Sequence, residues 1–130
     1  MSAEREIIET VYERWNRNDG DLALDLFDEQ VEIQQVGSLI GTAGIFRGHE
    51  GLVQSATELM EPFDRWEWDP REWGEEGDYL LVTLEVRAIG GISGVPTKNQ
   101  VVHAWKIRDG LVTEFRVYEN LGRALETVRG

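Results

Sequence analysis

The chain has 130 residues, 41% hydrophobic and 29% charged, with a formal net charge of −12; this is enough for one packed domain, residues 1–130, and too little for two. The acidic balance works against binding nucleic acid or an anionic membrane surface, both of which are held through Lys and Arg. The absence of cysteine excludes a disulfide framework, a thiol nucleophile and a thiolate metal site.

Ile7, Ile8, Val11, Tyr12 and Trp15 recur at helical spacing opposite Glu4, Glu9, Glu13 and Arg17, which predicts a first helix capped by Ser2. The early acids and the lack of a long apolar run argue against a signal peptide or membrane anchor, so the expected location is the cytoplasm. Asn18 to Asp21 ends this helix, and Asp21 is placed to cap a short second helix with Leu22, Ala23, Leu26 and Phe27 inward. From Gln30 the period becomes two, with Val31, Ile33 and Gln35 on one face of a strand. The stretch Gly37 to Gly44 contains Leu39 and Ile40 and is too apolar for an ordinary solvated loop, which suggests a mouth loop or a partner contact. A third helix is expected over about Glu50 to Glu61, stopped by Pro62.

The second half reads as a meander of strands. Trp66 and Trp68 share one face of an extended segment broken near Pro70, and Glu75 to Asp78 is a turn. Leu80, Val82, Leu84, Val86 and Ala88 alternate with Leu81, Thr83, Glu85 and Arg87. Two more strands flank Asp109-Gly110, and Leu121 to Val128 suits a final short helix. A two-residue Asp109-Gly110 loop would put His103 opposite Arg116. A three-residue loop with Gly110 in a left-handed bulge would put it opposite Phe115. The second register gathers Val101, His103, Trp105, Ile107, Leu111, Phe115 and Val117 on one apolar face, and burial favours it. His103 therefore faces the core.

Helices first, then a strand, a helix and a long meander, predict an α+β fold. Trp15, Gly20 and Asp21, Leu26-Phe27-Asp28 before Val31-Glu32, and Phe46-Arg47-Gly48-His49-Glu50-Gly51 also resemble the SnoaL-like branch of the nuclear transport factor 2 and ketosteroid isomerase superfamily. Ser93-Gly94-Val95, Val102 to Gly110 and Phe115-Arg116-Val117-Tyr118 extend the likeness over nearly the whole chain. The resemblance implies a cone-shaped, curved, mixed or antiparallel sheet (a cystatin-like α+β roll) with three helices of the N-terminal half on its concave face. It implies an apolar pocket and a homodimer formed through the convex face; no cofactor is expected. The acids of related enzymes are missing: Gln35 stands at the ketosteroid isomerase base, and Val117 near the cyclase Asp. His103 falls at about the position of the isomerase's second acid, and Tyr12 lies within about a residue of its helix-one tyrosine.

An imidazole on an apolar face is desolvated and stays neutral near pH 7, which suits it to acid or base work; its structural alternative is a core histidine bonded to a neighbour. Tyr12, Trp15, Leu59, Trp105, Phe115 and Val117 are core residues expected to line the pocket, and Gln35 and Glu119 are its expected polar groups. Trp66, Trp68 and Trp73 are expected as strand packing or as an aromatic wall. His49 at a helix start reads as exposed and structural. With two histidines and no H-x-x-x-H or H-E-x-x-H spacing, no metal site is expected. Two functions remain open: an isomerase, cyclase or dehydratase-like enzyme acting on a hydrophobic polyketide- or steroid-like compound through His103, and a non-catalytic binder or dimeric interaction module.

Overall fold

The structure, a computed structural model, describes residues 3–35, 44–91 and 97–129. Its elements in chain order are α1 (Ala3–Trp15), a 3₁₀ turn (Leu24–Leu26), β1 (Phe27–Gln35), β2 (Gly44–Arg47), α2 (Gly48–Met60), β3 (Arg65–Glu76), β4 (Tyr79–Ile89), β5 (Thr97–Arg108), β6 (Leu111–Tyr118) and α3 (Leu121–Arg129). All six strands form one sheet in the order β2-β1-β6-β5-β4-β3. Among the described residues only the β1–β6 pair is parallel, so the sheet is mixed and the α+β class stands.

The helices are distributed differently from expectation. Among the described residues two α-helices, not three, come from the N-terminal half. The expected second helix is a single 3₁₀ turn, and Phe27 already belongs to β1. Asp21 Oδ1 accepts the Ala23 N–H (2.9 Å), and Ala23 takes a left-handed φ of 62°. The capping acid therefore closes a turn and no helix propagates from it. The third α-helix is the C-terminal one.

Strand alternation assigns the two faces. Val82, Leu84, Val101, Trp105 and Phe115 pack with Ile8, Val11, Tyr12 and Trp15 of α1 and Leu52 of α2 in one core. The opposite, outer face carries Leu81, Val102, Ala104 and Tyr118, and α3 covers these with Ala124, Leu125 and Val128. Part of the face expected to be free is thus occupied by the chain itself. Elsewhere on that face charges pair locally. Glu85 meets Arg71, Arg87 and Lys98 at 3.5, 3.3 and 3.6 Å, and Glu114 meets Lys106 and Arg116 at 3.3 and 3.0 Å.

The β5–β6 hairpin corrects the expected register and keeps the expected face. Asp109 and Gly110 form a two-residue loop with φ of 54° and 80°, the positive pair that matches strand twist. Pairing starts as Arg108↔Leu111 and Ile107↔Val112, then shifts so that Lys106 opposes Glu114 and His103 opposes Val117. Thr113 is the extra residue, and its hydroxyl bonds the Lys106 carbonyl at 3.2 Å. One bulge reverses the side-chain alternation once. Val112 and not Leu111 therefore joins the inner core, while His103, Phe115 and Val117 stay inside.

β3 is a sheet edge and runs unbroken through Pro70. A bulge at Arg71 separates Pro70↔Leu84 from Glu72↔Thr83, and an edge strand tolerates the missing N–H. The end of α1 stands in for the absent neighbour strand. The Asn16 amide donates to the Trp68 carbonyl (2.8 Å) and accepts its N–H (2.7 Å). Asn18 does the same with Trp66 at 2.8 Å in both directions. Two side-chain amides thus satisfy the backbone where β3 would present open groups. Among the described residues no helix is long and apolar enough to cross a membrane. Ser2, the stretch 37–43 and Ser93-Gly94-Val95 lie outside the described residues.

Candidate active site

The inner core leaves a cleft between α2 and the sheet. The cleft and the open solvent at its mouth together make up about 730 Å³, whereas the space reached by the centres of water-sized molecules is only about 50 Å³. The inner part is therefore narrow, on the order of room for a single ring. One wall is the face of α2 that repeats at helical spacing: Leu52, Ser55, Ala56, Leu59 and Met60. The sheet supplies Val101, His103, Phe115 and Val117, with Gln35 at the end of β1 and Glu119 just past β6. Trp15, Leu22 and Trp68 complete the wall.

Of the residues expected to line this space, Trp15, Gln35, Leu59, His103, Phe115, Val117 and Glu119 do so. Tyr12 and Trp105 do not: Tyr12 bonds the His103 ring, and Trp105 bonds the Tyr12 hydroxyl. The sequence reading missed most of the α2 face, although its i, i+3, i+4, i+7 pattern was the available signal. It also left open the role of Trp68. Trp66 and Trp68 are both buried and stack with ring centroids 5.6 Å apart, but only Trp68 reaches the cleft. The half-buried His49 donates from Nε2 to the Phe27 carbonyl (2.9 Å), a bond that ties the start of α2 to β1.

His103 is 2% exposed. Its Nδ1 lies 2.7 Å from the Tyr12 hydroxyl, and that oxygen accepts the Trp105 Nε1–H at 3.1 Å. The imidazole stands edge-to-face on Phe115 (4.8 Å, 88°) and on Trp105 (5.7 Å, 83°), with Trp68 tilted at 5.9 Å. These rings fix its orientation. Burial pulls its pKa down from 6.5 to about 3, so the ring is neutral at neutral pH. Burial likewise pushes the Tyr12 hydroxyl well above its usual value, an effect that the Trp105 hydrogen bond opposes only in part. Tyr12 therefore keeps its proton. The remaining ring nitrogen, Nε2, has no protein partner among the described residues and is not sealed from the cleft that His103 lines.

The other polar groups differ in readiness. Ser55 spends its hydroxyl on the Leu52 carbonyl (3.1 Å). Gln35 is half-buried. Glu119 sits at the rim with its side chain 38% exposed, 3.9 Å from Arg123. Trp68 Nε1 is buried without a partner, whereas Trp15 Nε1 reaches the Leu22 carbonyl at 2.8 Å. Among the described residues no cluster of His, Asp or Glu is arranged to hold a metal ion.

Several solved structures share this architecture. An NTF2-like protein of unknown function from Burkholderia pseudomallei superposes with a TM-score of 0.78 at 19% identity, over 100% of both chains. TerC, co-crystallized with polyporic acid, gives 0.78 at 22% identity, over 99% of this chain and 100% of its own. The epoxide hydrolase/cyclase-like enzyme SalBIII, of pyran ring formation in polyether salinomycin, gives 0.73 at 18% identity, over 94% of this chain and 96% of its own. At these identities the likeness establishes the fold. A search of the curated proteins finds no match. The model of the SnoaL-like domain matches residues 8–115, which spans the cleft from α1 to Phe115, and the chain belongs to that family.

Proposed function

We propose that the chain is a small-molecule enzyme of the isomerase, cyclase or dehydratase kind, acting on an apolar polyketide- or steroid-like compound whose reacting oxygen meets His103. The observation that carries this reading is a neutral, buried imidazole with one nitrogen tied into the core and the other free toward an apolar cleft. With a pKa near 3 the ring is a poor proton acceptor and a good hydrogen-bonding partner for an oxygen that gains charge. Glu119, a carboxylate on the same wall, is the group suited to take up a proton at the mouth. One ring of the substrate occupies the narrow interior and the remainder sits in the mouth. The family's structural neighbours, among them an epoxide hydrolase/cyclase-like enzyme, support small-molecule chemistry in such a cleft.

A chain without cysteine needs no oxidising compartment, which accords with action in the cytoplasm. A second copy is the partner we propose for the part of the outer face that α3 leaves open. The locally paired charges there let two strongly acidic chains approach with little repulsion.

The test is turnover of a panel of aromatic carbonyl and polyketide-like compounds by wild type, His103→Gln and Glu119→Gln. Each substitution is expected to lower kcat about 10²-fold or more with the fold retained. Unchanged turnover in His103→Gln refutes the assignment. Gln35 and Val117, which stand where related enzymes carry acids, favour a second reading as a binder without chemistry. A bound compound recovered unaltered after long incubation supports that reading.

A further inference from the structure

We infer that Tyr12 and Trp105 are positioning residues that hold His103 as the neutral tautomer protonated at Nε2, so that the cleft presents a hydrogen-bond donor and selects ligands carrying an oxygen acceptor. The inference rests on the reading of the cleft as the functional site and assigns the proton within it.

The argument is one of donors and acceptors. An indole nitrogen only donates, so the 3.1 Å contact fixes Trp105 Nε1–H as donor and the Tyr12 oxygen as acceptor. The phenol then has one hydrogen to place. Its only other polar contact among the described residues is His103 Nδ1 at 2.7 Å. Were Nδ1 protonated instead, the phenol oxygen would accept twice and its own hydrogen would be buried with no acceptor, in a residue 2% exposed. The arrangement that leaves no orphan runs Trp105 N–H to Tyr12 O–H to His103 Nδ1. A neutral ring with a bare Nδ1 carries its proton on Nε2. Three elements, α1 with Tyr12, β5 with His103 and Trp105, and β6 with Phe115 packed on the imidazole, hold this chain of bonds in place.

The consequence is selectivity. Nε2–H meets a carbonyl, enolate or phenolate oxygen as a donor, whereas the opposite tautomer would be a lone pair suited to ligand hydroxyls or amines.

Side-chain nitrogen NMR of the full ¹⁵N-labelled chain at neutral pH tests this directly. The His103 signals are those that persist in His49→Gln. Wild type should show a protonated Nε2 and an unprotonated Nδ1. In Tyr12→Phe, with the fold confirmed by its amide spectrum, both signals should move toward the average of the two tautomers. A protonated Nδ1 in wild type, or a folded Tyr12→Phe with an unchanged pattern, overturns the inference. Acetophenone, a one-ring ketone, should shift Nε2 and its proton well beyond any effect of ethylbenzene; equal responses overturn the selectivity. Turnover that depends on His103 together with a protonated Nδ1 would sink this inference alone. A protonated Nε2 in a protein that turns over no carbonyl compound would sink the catalytic reading alone.

Discussion

Asn16→Ala tests the clamp that closes the sheet edge. The Asn16 amide makes two hydrogen bonds to the Trp68 backbone, at 2.8 and 2.7 Å, and alanine removes both. A net hydrogen bond contributes roughly 0.5–1.5 kcal/mol, and the freed peptide groups at an edge can turn to water, so the loss should be about 1–2 kcal/mol. At about 2.1 cal/mol/K per residue, 130 residues unfold with roughly 0.27 kcal/mol per degree, so Tm should fall by about 4–7 °C. Asn18→Gly should cost at least as much: glycine accommodates the φ of 54°, but the two bonds to Trp66 and the exposed 3.1 Å bond to the Asn16 carbonyl are lost. The double variant should lose about 2–4 kcal/mol and expose an edge that pairs with other chains, seen as faster aggregation on heating. Calorimetry with turbidity measures both effects. A Tm change under about 1 °C in Asn16→Ala would show that the amide only decorates the edge, and the reasoning fails.

The pH dependence of stability should carry a His103 component. Between pH 6.5 and about 3 the unfolded imidazole holds a proton that the folded one refuses, so stability falls as pH drops below 6.5. The slope approaches about 1.4 kcal/mol per pH unit, or about 2 kcal/mol lost by pH 5. Denaturant unfolding of His103→Gln should lack this component, and parallel pH curves for the two proteins would refute it. Gly51→Ala in α2 should destabilise by about 1–3 kcal/mol despite the better helix propensity of alanine. Its Cβ would lie 2.9 Å from the Phe46 carbonyl carbon, and backbone cannot swing aside; a gain in Tm would contradict this. Phe115→Ala, which removes a ring stacked on Trp105 at 4.1 Å, should cost about 3–5 kcal/mol by chemical unfolding. Sedimentation at micromolar concentration should show a dimer, and a single species of 14.8 kDa would refute the partner we propose.

The sequence by itself determined the first and last helices, the strands of the meander, the α+β class and the inward side of His103. These follow from periodicity, and each is a local property that burial enforces. Val82, Leu84 and Val86 could not face water without carrying Glu85 and Arg87 inward. The seat of the cleft was also legible, since the strand positions that line it share parity with the core.

Tertiary structure decided the rest. The β5–β6 loop has two residues, and the bulge at Thr113 restores the apolar face; alternation cannot distinguish a loop residue from a bulge residue when both give the same parity beyond them. The short second helix became a turn because Asp21 bonds the Ala23 N–H while also taking Arg14 at 2.8 Å, a partner seven residues back. The company of His103 was beyond reach of spacing altogether. Tyr12 stands 91 residues away in sequence, and whether it faced the cleft or the underside of the imidazole depended on how α1 lies across the sheet. Periodicity assigns a side chain to a face, whereas the docking of one element on another decides which atom it meets.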